Sequence, residues 1–187
     1  MPDFPFRPSR YAPHTFGSVS AGQLWKHVPP ERRAAAAQAF WAETNASAQA
    51  DAMAEMASHL KFRPKSVQAL PVEKKVRYLA SMPALSDSVA GHVLVAYHVA
   101  TKRPMMVAFL DQLGIKHDDG VIAEKDLKPP EPRRLEAAVA KLFDEHPHED
   151  VELYLSTLLV QDRDTWGGLA AVLDARAEAD GGSSART

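Results

Sequence analysis

Apolar residues recur along this chain at three- and four-residue steps and nowhere alternate convincingly with polar ones, which predicts helices and argues against a sheet. The first helical stretch starts at Ser20 and carries Leu24, Trp25 and Val28 before Pro29 and Pro30 stop it. Those prolines open a second helix, with Glu31 at the positive end of its dipole and Phe40 and Trp41 as anchors. A third, Ala46 to about Leu60, aligns Ala46, Ala50, Met53, Ala57 and Leu60 on one stripe. A fourth runs from Leu70 and is stopped by Pro83.

The most apolar stretch lies between Ser86 and Gly120. Ser86 is an N-cap, and the helix behind it is apolar nearly all round: Val89, Val93, Ala96, Tyr97 and Ala100 form one stripe while Leu94, Val95 and Val99 cover much of the rest. That is the pattern of a helix surrounded by others. Pro104 opens a sixth helix with Met106, Phe109, Leu110 and Leu113 inward, and Gly114-Ile115 predicts a left-handed stop. A loop from Lys116 to Pro132 follows, with His117-Asp118-Asp119-Gly120 as its turn and Val121-Ile122 as a short extended piece. The seventh helix buries Leu135, Ala138, Val139 and Leu142, and the eighth, from near Pro147, buries Val151, Tyr154, Leu155 and Leu158. The ninth starts at Asp164 as N-cap and carries Trp166, Leu169 and Leu173.

These elements predict an all-α protein: a compact orthogonal bundle of about eight or nine helices forming one domain over 20–177. An N-terminal strap, residues 1–19, is held extended by Pro2, Pro5, Pro8 and Pro13 and offers Phe4, Phe6, Tyr11 and Phe16 as anchors. Residues 178–187 have the composition of a disordered tail. The alternative is a short helical-hairpin array, suggested by an echo at an offset of 42 between Val28-Pro29-Pro30-Glu31 and Leu70-Pro71-Val72-Glu73. The plainer reading of the echo is that both segments are good helix starts.

Composition narrows the functions. With no cysteine, disulfides, cysteine-ligated metals and thiol nucleophiles are excluded. The apolar run Val93 to Val99, broken internally by Tyr97 and His98, falls far short of the ~20 residues a bilayer span needs, and the N-terminus lacks a secretory h-region, so the expected location is cytoplasmic. Alanine and arginine usage suits a bacterial chain. The net charge of −2 conceals a division: residues 61–103 hold eight basic side chains against two acidic, and 104–164 hold seven basic against fourteen acidic.

Three sets of residues are candidates for chemistry. His117, Asp118, Asp119, His146, His148 and Glu149 are imidazoles and carboxylates of the kind that ligate a divalent metal, although no His-x-x-x-His spacing accompanies them. Their ordinary reading is a turn and a helix N-terminus. His92, Tyr97, His98, Lys102 and Arg103 form a possible ligand or partner rim, but six residues of helix set His92 and His98 about 120° apart, so the two imidazoles diverge. In the basic middle, Lys61, Arg63 and Lys65 alternate in an extended connector while Lys74 and Arg77 share a helix face with Tyr78, and Phe62 is available to stack on a base. An overall pI near 6.4 weighs against nucleic acid as the partner. The expectation is a non-enzymatic protein-binding or scaffold module, with a protein partner or self-association and no cofactor. A His/Asp/Glu metal-dependent enzyme comes second and weak nucleic-acid binding through 61–103 third. Met53, Met56, Met105 and Met106 are further material for an adaptable groove, or for ordinary core.

Overall fold

The structure, a computed structural model, describes residues 9, 11, 15–123 and 127–183, the side chains of the last five excepted. Among these residues the chain forms eleven α-helices, a single turn of 3₁₀ helix and one minimal hairpin, the all-α fold that the periodicity predicts. No helix among them is long and apolar enough to cross a membrane. Where the sequence suggests one domain over 20–177, the chain groups into two compact units, Ser20–Lys102 and Arg103–Thr187 with Met1–Val19. The division falls at the basic joint before Pro104.

The unit Ser20–Lys102 contains α1 (Ala21–His27), α2 (Pro30–Ala42), α3 (Ala46–Leu60), α4 (Pro64–Gln68), α5 (Val72–Ser81) and α6 (Asp87–Thr101). α6 is its centre. The Ser86 hydroxyl caps it by accepting from the Val89 N–H at 3.3 Å, and it packs against α1, α2 and α3, while α2 also packs on α5. A helix that meets the first three of its unit is incompatible with an open array, in which each repeat touches only its neighbours. The echo is explained locally instead: Pro29 and Pro71 are both extended N-cap residues (φ −61°, ψ 151° and φ −56°, ψ 150°) that launch α2 and α5.

The stripe expected on α3 is rotated. Ala48, Ala52, Met56 and Ala57 are buried, whereas Ala46 and Ala50 are exposed. Alanine recurs around every side of this helix, so its pattern defines no face, and the side is chosen by what α4 and α6 bring against it.

Contact between α1 and α6 depends on a missing side chain. The Gly22 N–H donates to Asp87 Oδ1 at 2.8 Å, and a Cβ on Gly22 would stand 2.7 Å from the Leu85 carbonyl oxygen. Helix propensity alone favours alanine at this position by about 0.5–1 kcal/mol. The collision is with backbone and outweighs that gain, so Gly22→Ala is expected to destabilise by about 1–3 kcal/mol. A urea midpoint that stays put or rises would show the close approach to be unimportant.

The second unit contains α7 (Arg103–Leu113), β1 (His117–Asp118), β2 (Val121–Ile122), α8 (Pro132–Glu145), α9 (His148–Gln161), α10 (Arg163–Trp166) and α11 (Gly168–Ser183). α7 stops as the sequence predicts. Gly114 adopts φ 66°, its N–H bonds to the Asp111 carbonyl at 2.9 Å, and Ile115 N–H reaches back to the Leu110 carbonyl at 2.9 Å. β1 and β2 pair His117 with Ile122 and Asp118 with Val121 around Asp119 (φ 48°) and Gly120 (φ 86°). Positive φ at both central residues is the hairpin turn that Asp-Gly favours.

α9 holds in this unit the place that α6 holds in the other. It buries Asp150, Val151, Leu153, Tyr154, Leu155, Ser156, Thr157 and Leu159, far more of its circumference than the expected stripe, and α8, α10 and α11 pack on it. Burial pushes the Tyr154 phenol above its usual range, so it is neutral at any physiological pH. The expected ninth helix is two helices. Asp162, not Asp164, is the N-cap of α10, accepting from the Asp164 and Thr165 N–H groups at 3.1 Å each. Hydrogen bonds from Thr165 and Asp164 hold its carboxyl below the ordinary carboxylate range. α11 continues to Ser183, so helix replaces the tail expected over 178–183, while 184–187 lie outside the described residues.

The described part of the strap belongs to this unit. Tyr11 and Phe16 are buried, Ser9 Oγ donates to Glu152 at 2.6 Å, and the Phe16 N–H donates to Asp174 at 2.9 Å. The Arg163 guanidinium donates to the carbonyls of Gly17 and Val19. Phe16–Ser18 is a turn of 3₁₀ helix, not extended chain. Phe4 and Phe6, the other expected anchors, lie outside the described residues.

Candidate anion-binding surface

The charge division in the sequence follows the division of the fold. Ser20–Lys102 carries ten basic side chains against six acidic, and the other unit twelve against eighteen. Within the basic unit the excess concentrates in Lys61–Tyr78, where six basic residues face a single acid, Glu73.

How this segment folds brings its two halves together. α3 ends in a left-handed residue, Lys61 (φ 55°), whose N–H bonds back to Ser58 while the Phe62 N–H bonds to the Ala57 carbonyl at 2.9 Å. This is the closure that glycine ordinarily provides. Arg63 is extended, as the residue before a proline must be, and Pro64 then starts α4, with Val67 fully buried beneath it. Lys65 is therefore in the first turn of a short helix and not in an extended connector. The expected alternation of Lys61, Arg63 and Lys65 is corrected accordingly: Pro64 sets φ for a helix, and burial of Val67 holds it there.

The chain returns along α5 so that the Phe62 ring meets Tyr78 edge to face, centroids 6.5 Å apart and planes at 86°. Lys74 and Arg77 stand one turn and one residue before Tyr78. Phe62 remains 43 % exposed, a large value for a ring already holding an aromatic partner. Lys61, Arg63, Lys65, Lys74 and Arg77 are all exposed, and among the described residues none of them has a carboxylate partner. Lys75 is different. Its ammonium lies 5.6 Å from the Trp41 ring centre, tying α5 to α2.

Lys61 carries a cost that its neighbours do not. A non-glycine residue in the left-handed region is disfavoured by about 1–2 kcal/mol. Lys61→Gly is expected to raise stability by about 0.5–1 kcal/mol in a denaturation midpoint while weakening any anion binding at this face. Loss of stability in that variant would place the value of Lys61 in packing instead.

The other candidates are dispersed. His117 is held by both ring nitrogens: Nδ1 accepts from the Gly120 N–H at 3.1 Å, which leaves Nε2–H to donate to Asp111 Oδ1 at 3.2 Å. Asp119 binds Arg103 at 2.5 Å, and Asp118 pairs across the hairpin as an exposed residue. His146 is the C-cap of α8, His148 packs edge-on to Phe143 at 5.2 Å, and Glu149 sits in the first turn of α9. No group of three or more His, Asp or Glu side chains that could hold a metal occurs among the described residues.

The histidines of α6 diverge as helix geometry requires. His92 is exposed and His98 is 2 % exposed, its ring 5.3 Å from that of the buried Tyr97. His92 acts on Glu43, whose carboxyl is pushed up by lost solvation and pulled down less strongly by that imidazole. Glu43 lines a shallow hollow of about 470 Å³ with Ala42, Thr44 and Asn45 at the turn between α2 and α3. Lys102 closes α6, and Arg103 opens α7 with its guanidinium engaged by Asp119. Met56, Met105 and Met106 are buried core side chains and Met53 is half-buried, so these four do not form an exposed methionine groove.

The sequence contained every charged member of the basic face. What it did not disclose was that Phe62 and Tyr78, sixteen positions apart, would touch. The class of protein defined at this point is an all-α chain with an exposed basic face built around an aromatic pair. Comparison with protein-family models, with curated proteins and with solved structures finds no match in any of the three.

Proposed function

We propose that this protein is a binding module that engages a polyanionic partner through the face formed by Lys61, Phe62, Arg63, Lys65, Lys74 and Arg77. The observation that carries this reading is the Phe62–Tyr78 contact, which joins the α3–α4 turn to α5 and so gathers cations from two segments. Supporting it, five exposed cations have no acidic partner among the described residues, where a purely solvated surface would ordinarily intersperse both signs. Lys61 stands at a position whose backbone favours glycine, a cost that a binding role for its charge would offset. The protein partner expected from the sequence would be recognised by the same charges only where its surface is acidic.

Immobilised heparin is a suitable first probe. The protein is expected to be retained at low salt despite its net negative charge, and Lys74→Glu/Arg77→Glu to flow through with unchanged circular dichroism. Wild-type protein that is not retained, or a double variant retained as strongly, would defeat the proposal.

A further inference from the structure

Deepening that reading, and resting on it, we infer that the polyanion is a single-stranded nucleic acid whose phosphates lie along the cations and one of whose bases stacks on Phe62. Charge alone does not explain this face. Five cations would suffice for any acidic polymer, but none of them requires an exposed phenylalanine at their centre. Phe62 is 43 % exposed although Tyr78 lies beside it, and the left-handed turn at Lys61 places it beyond the end of α3 instead of within a helix. The tight turn and the edge-to-face partner hold the ring in place, so little freedom remains to be lost when a base covers it.

The arrangement matches what unpaired strands need and duplexes do not. A base in a single strand exposes its π-face, and aromatic side chains beside a basic track take such bases with little regard to sequence. In a duplex the faces are already stacked, and the ring would have no target. Lys61 and Arg63 bracket Phe62, so a base on the ring leaves its flanking phosphates near cations on either side in the chain. Lys74 and Arg77, about 4.5 Å apart along the α5 axis, extend that charge on the helix bearing Tyr78. Both planar guanidiniums of the face, Arg63 and Arg77, are free of carboxylates among the described residues and suit phosphate oxygens.

The test is fluorescence anisotropy of the full chain with a labelled oligothymidylate and oligouridylate of about twelve nucleotides. A duplex of equal length and polyglutamate serve as competitors. Single strands are expected to bind and to be displaced poorly by both competitors, with log K falling against log salt at a slope of about −3 for four to five neutralised phosphates. Phe62→Ala is expected to weaken single-strand binding about fivefold or more, and by a larger factor than it weakens binding to heparin, and Phe62→Trp to retain or strengthen it. If polyglutamate or duplex competes equally and Phe62→Ala binds as tightly as wild type, the nucleic-acid inference is overturned while the polyanion reading stands. If neither oligonucleotide nor heparin is bound, both are overturned.

Discussion

Phe109→Ala is expected to destabilise the unit that follows Lys102 by about 3–5 kcal/mol, enough to remove much of the stability of an ordinary domain. Phe109 is fully buried on α7, and two aromatic neighbours depend on it. Its ring centroid is 5.8 Å from Tyr154 of the central helix α9 at 87°, and 5.9 Å from Trp166 of α10 at 36°. Removing the ring leaves a cavity between three helices, lined by the buried Tyr154 and Trp166. Phe109→Leu keeps most of the volume and should cost about 1–2 kcal/mol, the part that belongs to ring geometry. Chemical denaturation followed by circular dichroism separates the two. A Phe109→Leu variant that unfolds at the wild-type midpoint would mean that the aromatic contacts contribute nothing beyond volume.

Trp25→Ala is the corresponding experiment in the other unit, with a loss of similar size, about 3–5 kcal/mol. Trp25 lies on α1 with no exposed surface, and its Nε1–H donates to the Met82 carbonyl at 2.9 Å just beyond the end of α5. The Arg33 guanidinium of α2 lies 5.3 Å from the ring centre and donates to the Lys26 carbonyl at 2.9 Å. One side chain thus ties together α1, α2 and the end of α5. Trp25→Phe preserves most of the apolar area but leaves the buried Met82 carbonyl without its donor, a loss of about 1–3 kcal/mol. If the phenylalanine variant unfolded at the wild-type midpoint, that hydrogen bond would be dispensable. Because the aromatic pair of the basic face lies elsewhere in this unit, heparin binding measured under folding conditions should persist in Trp25→Phe.

Legibility in the sequence varied with how local the determining physics was. Ser86 as a cap, Gly114 as a left-handed stop and Asp119-Gly120 as a turn were readable because each depends on a few adjacent residues and their φ preferences. The helix α4 was not read, because five residues starting at Pro64 offer no periodicity and only the burial of Val67 reveals their purpose. His92 and His98 diverge, one facing solvent and the other the core, as their 100° steps imply. The metal candidates were adjacent in sequence for reasons of turns and helix starts, and the fold gives them separate local partners. The cations of the basic face were legible as a charge run, but the contact that makes them one surface was not.

By itself, then, the sequence determined that this chain is helical, where most of its helices begin and end, and that its charge is unevenly distributed. Those properties follow from backbone preferences and side-chain patterns that act over a few residues. The tertiary structure alone decided that α3 turns Ala48, Ala52 and Met56 inward, that α9 is buried almost all round, that the chain forms two compact units, and that Phe62 meets Tyr78. Each depends on which distant segment arrives against a given face, and an alanine-rich helix or an exposed phenylalanine looks the same in sequence whatever covers it.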